Sequence, residues 1–463
     1  MSFSYRRFAA LALIFTFAIS SCQPAQVDAT ATPSVRATSA PKVESTPTAA
    51  SSLGVRKEAL KGLVIQVWQP WFGIESNLFE AQVQEFNRTN EWGVTVQSIS
   101  QINYSQLYNN TTTALPTANR PQLVIALPEH ALAWNAGDYV VDLNTYISDP
   151  VYGFSNADIK DFPPIFLTQD SIGDKRLGLP AERSARFLLY NVSWARQLGF
   201  DSAPKTADDF REQACRARQS MFTDTVPDND AQGGWLVDTN AMTALSWLTA
   251  FGGGVLEGND YRFLTPKNIA ALTFVKQLYD DGCAWASRPD ADLPSIFSGR
   301  KALFMTAGLE ELSDYSRGMA AASNADEWTV LSFPGDIQNG LMIYGSSFVM
   351  LKSTPEQQLA AWLFVRWMLS PENQARWVQT TGLFPLRTSS LEALTSYSNS
   401  HPQWAAAVAL IPDGKLQPQL ASWRKVRVML GDGFNSMFRL NIPAGRVAEI
   451  LAVMESTARD LSK

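Results

Sequence analysis

Trp68 and Trp71 stand at the end of an apolar run of strand length, and Glu75 follows one helical turn later. An indole covers the C–H face of a sugar ring, while carboxylates, guanidinium groups and amides bind its hydroxyl rim. In open α/β sheets, ligands bind beyond the carboxyl ends of the strands. These three residues therefore form a candidate ligand loop. Catalytic spacings are missing. The two histidines, His130 and His401, are far apart, and no His-x-x-x-His, Cys-x-x-Cys, Gly-x-Ser-x-Gly or phosphate-cradling glycine loop occurs. The triple glycine at 252–254 follows a helix-like run and reads as a helix stop. Carboxylates are plentiful, but nothing singles out two of them as a glycosidase pair. No catalytic residue, metal or cofactor is expected.

The elements that must position these residues alternate in type. Leu63–Trp68 is a nearly continuous apolar run, as in a parallel strand covered on both faces. A helix is predicted over 75–87, a strand over 94–99, a polar helix over 104–113, a strand over 122–127 and a helix over 129–136. This alternation predicts an α/β fold with a mostly parallel sheet. A second region starts at Gly178-Leu179-Pro180, with a strand over 186–190 and a short helix over 193–198. Helices follow from Thr206 through Cys215, over 240–251 and over 266–281. Strands over 328–333 and 346–351 and helices over 355–369 and 371–380 come next, and the tail from Gln403 is mainly helical. No internal repeat is present.

Composition bounds the class. The 463 residues suffice for one or two cores, and 46% hydrophobic with 18% charged residues is ordinary for a globular chain. A net charge of −6 provides no basic face, which argues against a nucleic-acid partner. Fourteen tryptophans are many for this length, and read either as core or, for a few in strand-end loops, as aromatic surface kept for a ligand. Arg6 and Arg7 precede the apolar run Phe8–Ile19, too short for a permanent membrane span, so residues 1–21 read as a secretory signal. Ile19-Ser20-Ser21-Cys22 resembles the bacterial lipobox, in which the cysteine becomes the lipid-bearing N-terminus. Residues 22–60, rich in Ala, Thr, Ser and Pro, read as a flexible tether; thirty such residues span roughly 30 Å as a coil. Cys215 and Cys283 remain, an even count in an oxidising compartment, and are expected to pair.

From Leu63 to Arg387 the chain resembles the family 1 extracellular solute-binding proteins, the sugar-binding class. The resemblance rests on ordered stretches: Val67-Trp68-Gln69-Pro70-Trp71, Leu179-Pro180-Ala181-Glu182-Arg183, Leu189-Tyr190-Asn191, Trp247 before Gly252-Gly253, Phe297-Ser298-Gly299-Arg300, Tyr344-Gly345-Ser346-Ser347 and Thr381-Gly382-Leu383-Phe384-Pro385-Leu386-Arg387. It implies a two-lobed, periplasmic-binding-protein-like α/β fold (type II) with the ligand cleft between lobes. The N-lobe is expected at 61–178 plus 306–352 and the C-lobe at 179–305 plus 353–463. By position it implies ligand contacts from Trp68, Trp71, Glu75, Glu129, Arg183, Tyr190, Trp247, Tyr344, Gly345, Ser346 and Arg387. Tyr344-Gly345-Ser346-Ser347 replaces the family's common Gly-Gly pair. The role implied is that of a monomeric receptor, lipid-anchored through Cys22 on the extracytoplasmic face of the cell envelope. It would deliver a carbohydrate to ABC permease subunits and would not be an enzyme. Glycerol 3-phosphate or its diesters as ligand, and a surface-tethered glycoside hydrolase, are the alternatives.

Overall fold

The computed structural model describes residues 50–335, 337–439 and 441–463. The expected signal segment, Cys22 and the expected tether up to residue 49 lie outside the described residues. The folded body begins before Lys61, which moves the expected end of the tether. Ser51 and Ser52 bond to the Asp149 carboxylate, Leu53 and Val55 pack on the main core, and Leu60 is wholly buried in it. The Pro-poor sequence after residue 50 supplies the apolar side chains that the tether lacks.

In chain order the strands of the two main sheets are β1 (Val64–Gln69), β2 (Thr95–Ser100), β3 (Leu123–Ala126), β4 (Leu179–Pro180), β5 (Ser184–Asn191), β6 (Trp235–Leu236), β7 (Ala284–Trp285), β8 (Phe304–Gly308), β9 (Trp328–Leu331), β10 (Met342–Tyr344), β11 (Ser347–Met350) and β12 (Lys415–Leu416). The principal helices are α1 (Gly73–Thr89), α2 (Tyr104–Ala114), α3 (Pro128–Asn135), α4 (Ala207–Phe222), α5 (Ala241–Ala250), α6 (Pro266–Asp280), α7 (Pro355–Met368), α8 (Pro371–Thr381), α9 (Trp423–Met437) and α10 (Val447–Leu461). Most begin at a side-chain cap or proline of the expected kind. Asn103 accepts from the Gln106 amide, Thr206 and Thr354 close capping boxes, and Pro128, Pro266, Pro355 and Pro371 sit in first turns.

The first sheet runs β2-β1-β3-β11-β4. β1 pairs in parallel with both β2 and β3, as its apolar run predicts, and β11 returns antiparallel to β3 and β4. The second sheet runs β7-β6-β8-β5-β10-β12, with β9 also pairing β5. Here β8, β9 and β10 all lie antiparallel to β5. This corrects the expected partition of the chain. Residues 304–344 belong to the second sheet rather than the first, and α7 and α8 pack with β1 and α1 of the first rather than with the second. The error has a local cause. β8 carries the same kind of short apolar pattern whichever sheet it joins, and only pairing with β5 decides.

The chain crosses between sheets at Ala181–Arg183, from β4 to β5, and at Gly345–Ser346, from β10 to β11. These segments lie side by side, with the amides of Ala181 and Glu182 donating to the Ser346 carbonyl at 2.9 and 3.2 Å. After α8 the Phe384 amide joins them, donating to the Arg183 carbonyl at 3.0 Å.

Cys215 of α4 and Cys283, just before β7, form a disulfide with Cα atoms 4.4 Å apart. It closes a loop with a sequence separation of 68. The chain-entropy account of such a loop gives roughly 4 kcal/mol of stabilisation. The Cys215→Ser/Cys283→Ser double variant should lose about that much, read as a lower urea midpoint, with an m-value somewhat raised because the unfolded chain exposes more surface without the bridge. An unchanged midpoint would show that the bridge does not restrain the unfolded chain.

Candidate functional site

The loops after β1, β2 and β3 end on one side of the first sheet and face the crossing segments and the second sheet. Between them lies a cavity of about 480 Å³, within the range of small-molecule sites. Pro70, Trp71 and Phe72 come from the loop after β1, Ile102 to Tyr104 from the loop after β2, and Leu127 and Glu129 from the end of β3 and the start of α3. Ser184, Glu310, Tyr344, Gln417 and Arg427 line the facing side.

Local chemistry holds each loop. The buried Gln69 side chain accepts from the Trp71 amide at 2.6 Å and donates to Ser76 Oγ at 3.3 Å, which turns the chain sharply after β1. The Trp71 ring then packs on Phe79 and Trp377, with centroids 5.1 and 4.7 Å away. Phe72 is left 79% exposed at the cavity mouth. Asn103 caps α2 and so sets Tyr104 at its first position, turned inward. Glu129 falls in the first turn of α3, where the helix dipole favours an anion.

Glu182 is the hub of the wall. Its carboxylate accepts from Tyr104 Oη at 2.6 Å, Trp71 Nε1 at 2.9 Å and Ser346 Oγ at 3.0 Å. Burial pushes its pKa up, and the three hydrogen bonds pull it back. Tyr104 is raised well above the usual phenol range by burial and by the Glu182 charge. On the facing side Ser184 Oγ donates to Glu310 at 2.6 Å, and Tyr344 Oη lies 3.4 Å from the same carboxylate. Burial, then the Glu310 charge, raises Tyr344. Glu129 is also raised by burial, against the attraction of Arg427. Arg427 Nη2 stands 3.2 Å from Glu129 Oε1 but off the hydrogen-bonding line, and that oxygen accepts no hydrogen bond. In all, Glu75, Glu129, Glu182 and Glu310 line the cavity against the single guanidinium of Arg427.

The structure brings together Trp71, Glu75, Glu129, Tyr344 and Gly345 among the residues expected from sequence. Ser346 is buried just behind them, bonded to Glu182. Gly345 has φ +145°, and a Cβ there would stand 2.3 Å from the Glu182 carbonyl, so the close approach of the two crossing segments requires glycine.

Five residues are placed elsewhere, and each has a physical reason. Trp68 points to the small core beneath α2 and α3 and does not line the cavity. Trp247 is wholly buried on α5, ringed by Phe210, Trp235, Phe274 and Phe333 with centroids 5.2 to 5.7 Å away. Tyr190 stacks on Phe304 in the same core. Arg387 spends its guanidinium on Asp158 and Asp161 at 2.7 and 2.6 Å. Arg183 is wholly buried, paired with Asp170 at 2.6 Å. Tyr104, Glu182, Glu310 and Arg427 were not singled out by sequence. The strand-end rule reaches Tyr104 and Glu310, since each follows a strand closely. Arg427, on a late helix, carries no local signal.

A family model described as bacterial extracellular solute-binding protein matches residues 81–412. The chain belongs to that family. The sn-glycerol-3-phosphate-binding periplasmic protein UgpB of Salmonella typhimurium is 21% identical over 361 residues, 74% of this chain and 78% of its own length. Among solved structures, the sugar-binding protein MalE from Xanthomonas citri superposes with a TM-score of 0.73 at 19% identity, covering 86% of this chain and 98% of its own. UgpB from Mycobacterium tuberculosis in complex with glycerophosphocholine gives 0.68 at 18% identity, with the same coverage. These likenesses establish the two-lobed fold of the solute-binding proteins. They are transport-binding proteins in family and fold. Among the described residues no helix is long and apolar enough to cross a membrane, and no cluster of three metal-ligating side chains occurs.

Behind the cavity of this solute-binding protein, His130 lies between Tyr108 and Trp134, almost wholly buried, with Nδ1 unpartnered. Burial, with Arg427 and Arg424 nearby, depresses its pKa from 6.5 to about 3. Between those values the unfolded chain binds a proton that the folded one refuses. The folded state therefore loses stability as pH falls through 6.5, by about 1.4 kcal/mol per pH unit at most from this residue. His130→Phe, which keeps the packing, should lose about 2 kcal/mol less than wild type between about pH 7 and about pH 5 in urea titrations. Equal acid slopes in the two proteins would refute the assignment.

Proposed function

We propose that this chain is the carbohydrate receptor of an ABC importer, held to the extracytoplasmic face of the membrane by lipid on Cys22, and that it returns its ligand unchanged. The observation that carries the carbohydrate reading is the cavity's lining: aromatic walls from Trp71, Phe72, Tyr104 and Tyr344 with four carboxylates and one guanidinium among them. Sugar hydroxyls donate to carboxylates, and aromatic rings cover the ring faces. The sugar-binding MalE and the glycerophosphocholine complex of UgpB both share the fold, so fold does not choose between their ligands. Charge bears on glycerol 3-phosphate: a phosphate monoester carries about −1.5 to −2 at neutral pH and would face an excess of carboxylates, whereas a neutral sugar meets no such repulsion.

The hydrolase alternative needs a carboxylic acid free to give its proton beside a second carboxylate. Glu182 has a raised pKa, but its oxygens already accept three hydrogen bonds, which hold it as an acceptor. The lipid anchor rests on the lipobox and on the apolar run before it.

Thermal unfolding with neutral mono- and disaccharides, glycerol 3-phosphate and glycerophosphocholine tests the ligand class. A ligand at 100 times its Kd stabilises by about 2.7 kcal/mol, enough to raise the midpoint by a few degrees. A shift with a sugar that is recovered intact is the expected result. A shift confined to the phosphate esters, or a cleaved sugar, would overturn it. Separately, Cys22→Ala should move the protein from the detergent to the aqueous phase in a partition assay of the expressing cells. Retention in the detergent phase would refute the anchor.

A further inference from the structure

One short stretch of the second half reaches across to the first. It runs from Gln419 to Arg427, after β12 and into α9, and α9 itself packs on α5 and α10 beside the second sheet. Three of its side chains end on the first half. The Gln419 Nε2 amide donates to the carbonyls of Thr168, Ser171 and Gln169 at 2.8, 3.0 and 3.2 Å. The Arg424 guanidinium lies over the Tyr108 ring of α2, 4.2 Å from its centroid. Arg427 pairs at 3.2 Å with the almost wholly buried Glu129 of α3. Both α2 and α3 pack on the first sheet, over β3. The chain itself passes between the sheets elsewhere, at Ala181–Arg183, at Gly345–Ser346 and after α8.

If one half turns against the other, the crossing segments bend and stay joined, whereas contacts made by side-chain ends alone have to part. Glu129 and Arg427 also line the cavity, so parting them opens its wall. We propose that Gln419, Arg424 and Arg427 form a latch that holds the cleft shut in the ligand-free protein. The chemistry suits a catch rather than a permanent seam. A seam buries well-packed apolar side chains, but here two guanidinium groups and an amide meet their partners at the ends of long flexible stems. Each such contact is weak by itself, and three together bias an equilibrium between two arrangements that differ by little. The ion pair is also imperfect, since Glu129 Oε1 and Arg427 Nε have no hydrogen-bond partner. Opening lets water reach both atoms and returns part of what parting them costs. The latch acts before any solute arrives, so it does not depend on which solute the cavity takes.

The test is the distance across the cleft without ligand, read by pulsed electron resonance. Spin labels go on cysteines substituted for Thr113 of α2 and Asn435 of α9, both exposed. The full chain carries Cys22→Ala, and Cys215 and Cys283 are bridged, so only these two sites take label. The labelled parent should show one population of distances, that of the structure. Gln419→Ala/Arg424→Gln/Arg427→Gln should move at least half of that population to longer distances. Tyr108→Leu/Glu129→Gln, which removes the partners from the other half, should do the same, and it decides the matter where the triple variant does not fold. Unfolding midpoints check that each variant is folded. A ligand-free parent that already shows the longer distances overturns the latch, and so does an unchanged distribution in the folded variants. Neither result touches the carbohydrate reading, which is tested with ligand.

Discussion

A guanidinium with no solvent exposure ties together the two segments, Ala181–Arg183 and Gly345–Ser346, by which the chain passes between its sheets. Arg183 donates to Asp170 at 2.6 Å, to Ser347 Oγ at 3.2 Å, and to the carbonyls of Ser346, Glu182 and Phe166 at 2.6, 2.8 and 3.1 Å. Taking such a pair out of water costs several kcal/mol per ion, and well-packed apolar side chains would serve stability as well or better. Apolar contacts, however, have no direction. The planar fork of arginine fixes several acceptors at set angles, and here those acceptors belong to both crossing segments and to the chain before β4. Asp170 completes the arrangement, since it also accepts from Ser347 Oγ.

The cavity inherits its shape from that junction. Glu182 precedes Arg183, so fixing the guanidinium fixes the backbone from which the Glu182 carboxylate reaches Trp71 and Tyr104. Those two rings come from the loops after β1 and β2, and Glu182 thereby joins the first sheet's loops to the passage between sheets. Gly345 serves the same junction from the other strand: only a residue without Cβ lets the second crossing segment lie against the Glu182 carbonyl. Any turning of one half against the other has to be absorbed by these short segments and the one at Phe384.

The elements were legible in the sequence because the forces that make them are local. Apolar runs and periodicity marked β1, β2, β3, α1, α2 and α3 to within a residue or two, and caps and prolines marked helix starts. Sheet membership was not legible, because β8 to β10 carry the same pattern in either sheet and the choice lies in distant pairing. The aromatic and arginine errors share that origin. Arg183 and Arg387 read as cleft residues because their partners, Asp170 and the Asp158–Asp161 pair, are identified only by the fold. Trp247 is different, because its signal was present. The helix from Ala241 to Ala250 is apolar nearly all round, and nine of its residues are buried. Such a helix belongs inside a core, and its tryptophan with it.

The carboxylates of the cavity divide by whether their valences are met. Glu182 is saturated by side chains of the protein, so it shapes the wall and sets two rings. Glu129 forms an ion pair with Arg427 at 3.2 Å, and its Oε1 and the Arg427 Nε, both buried, have no hydrogen-bond partner. Leaving a buried polar atom unmet costs about 1–3 kcal/mol, a cost that folding alone gives no reason to keep, because a shorter or apolar side chain would remove it.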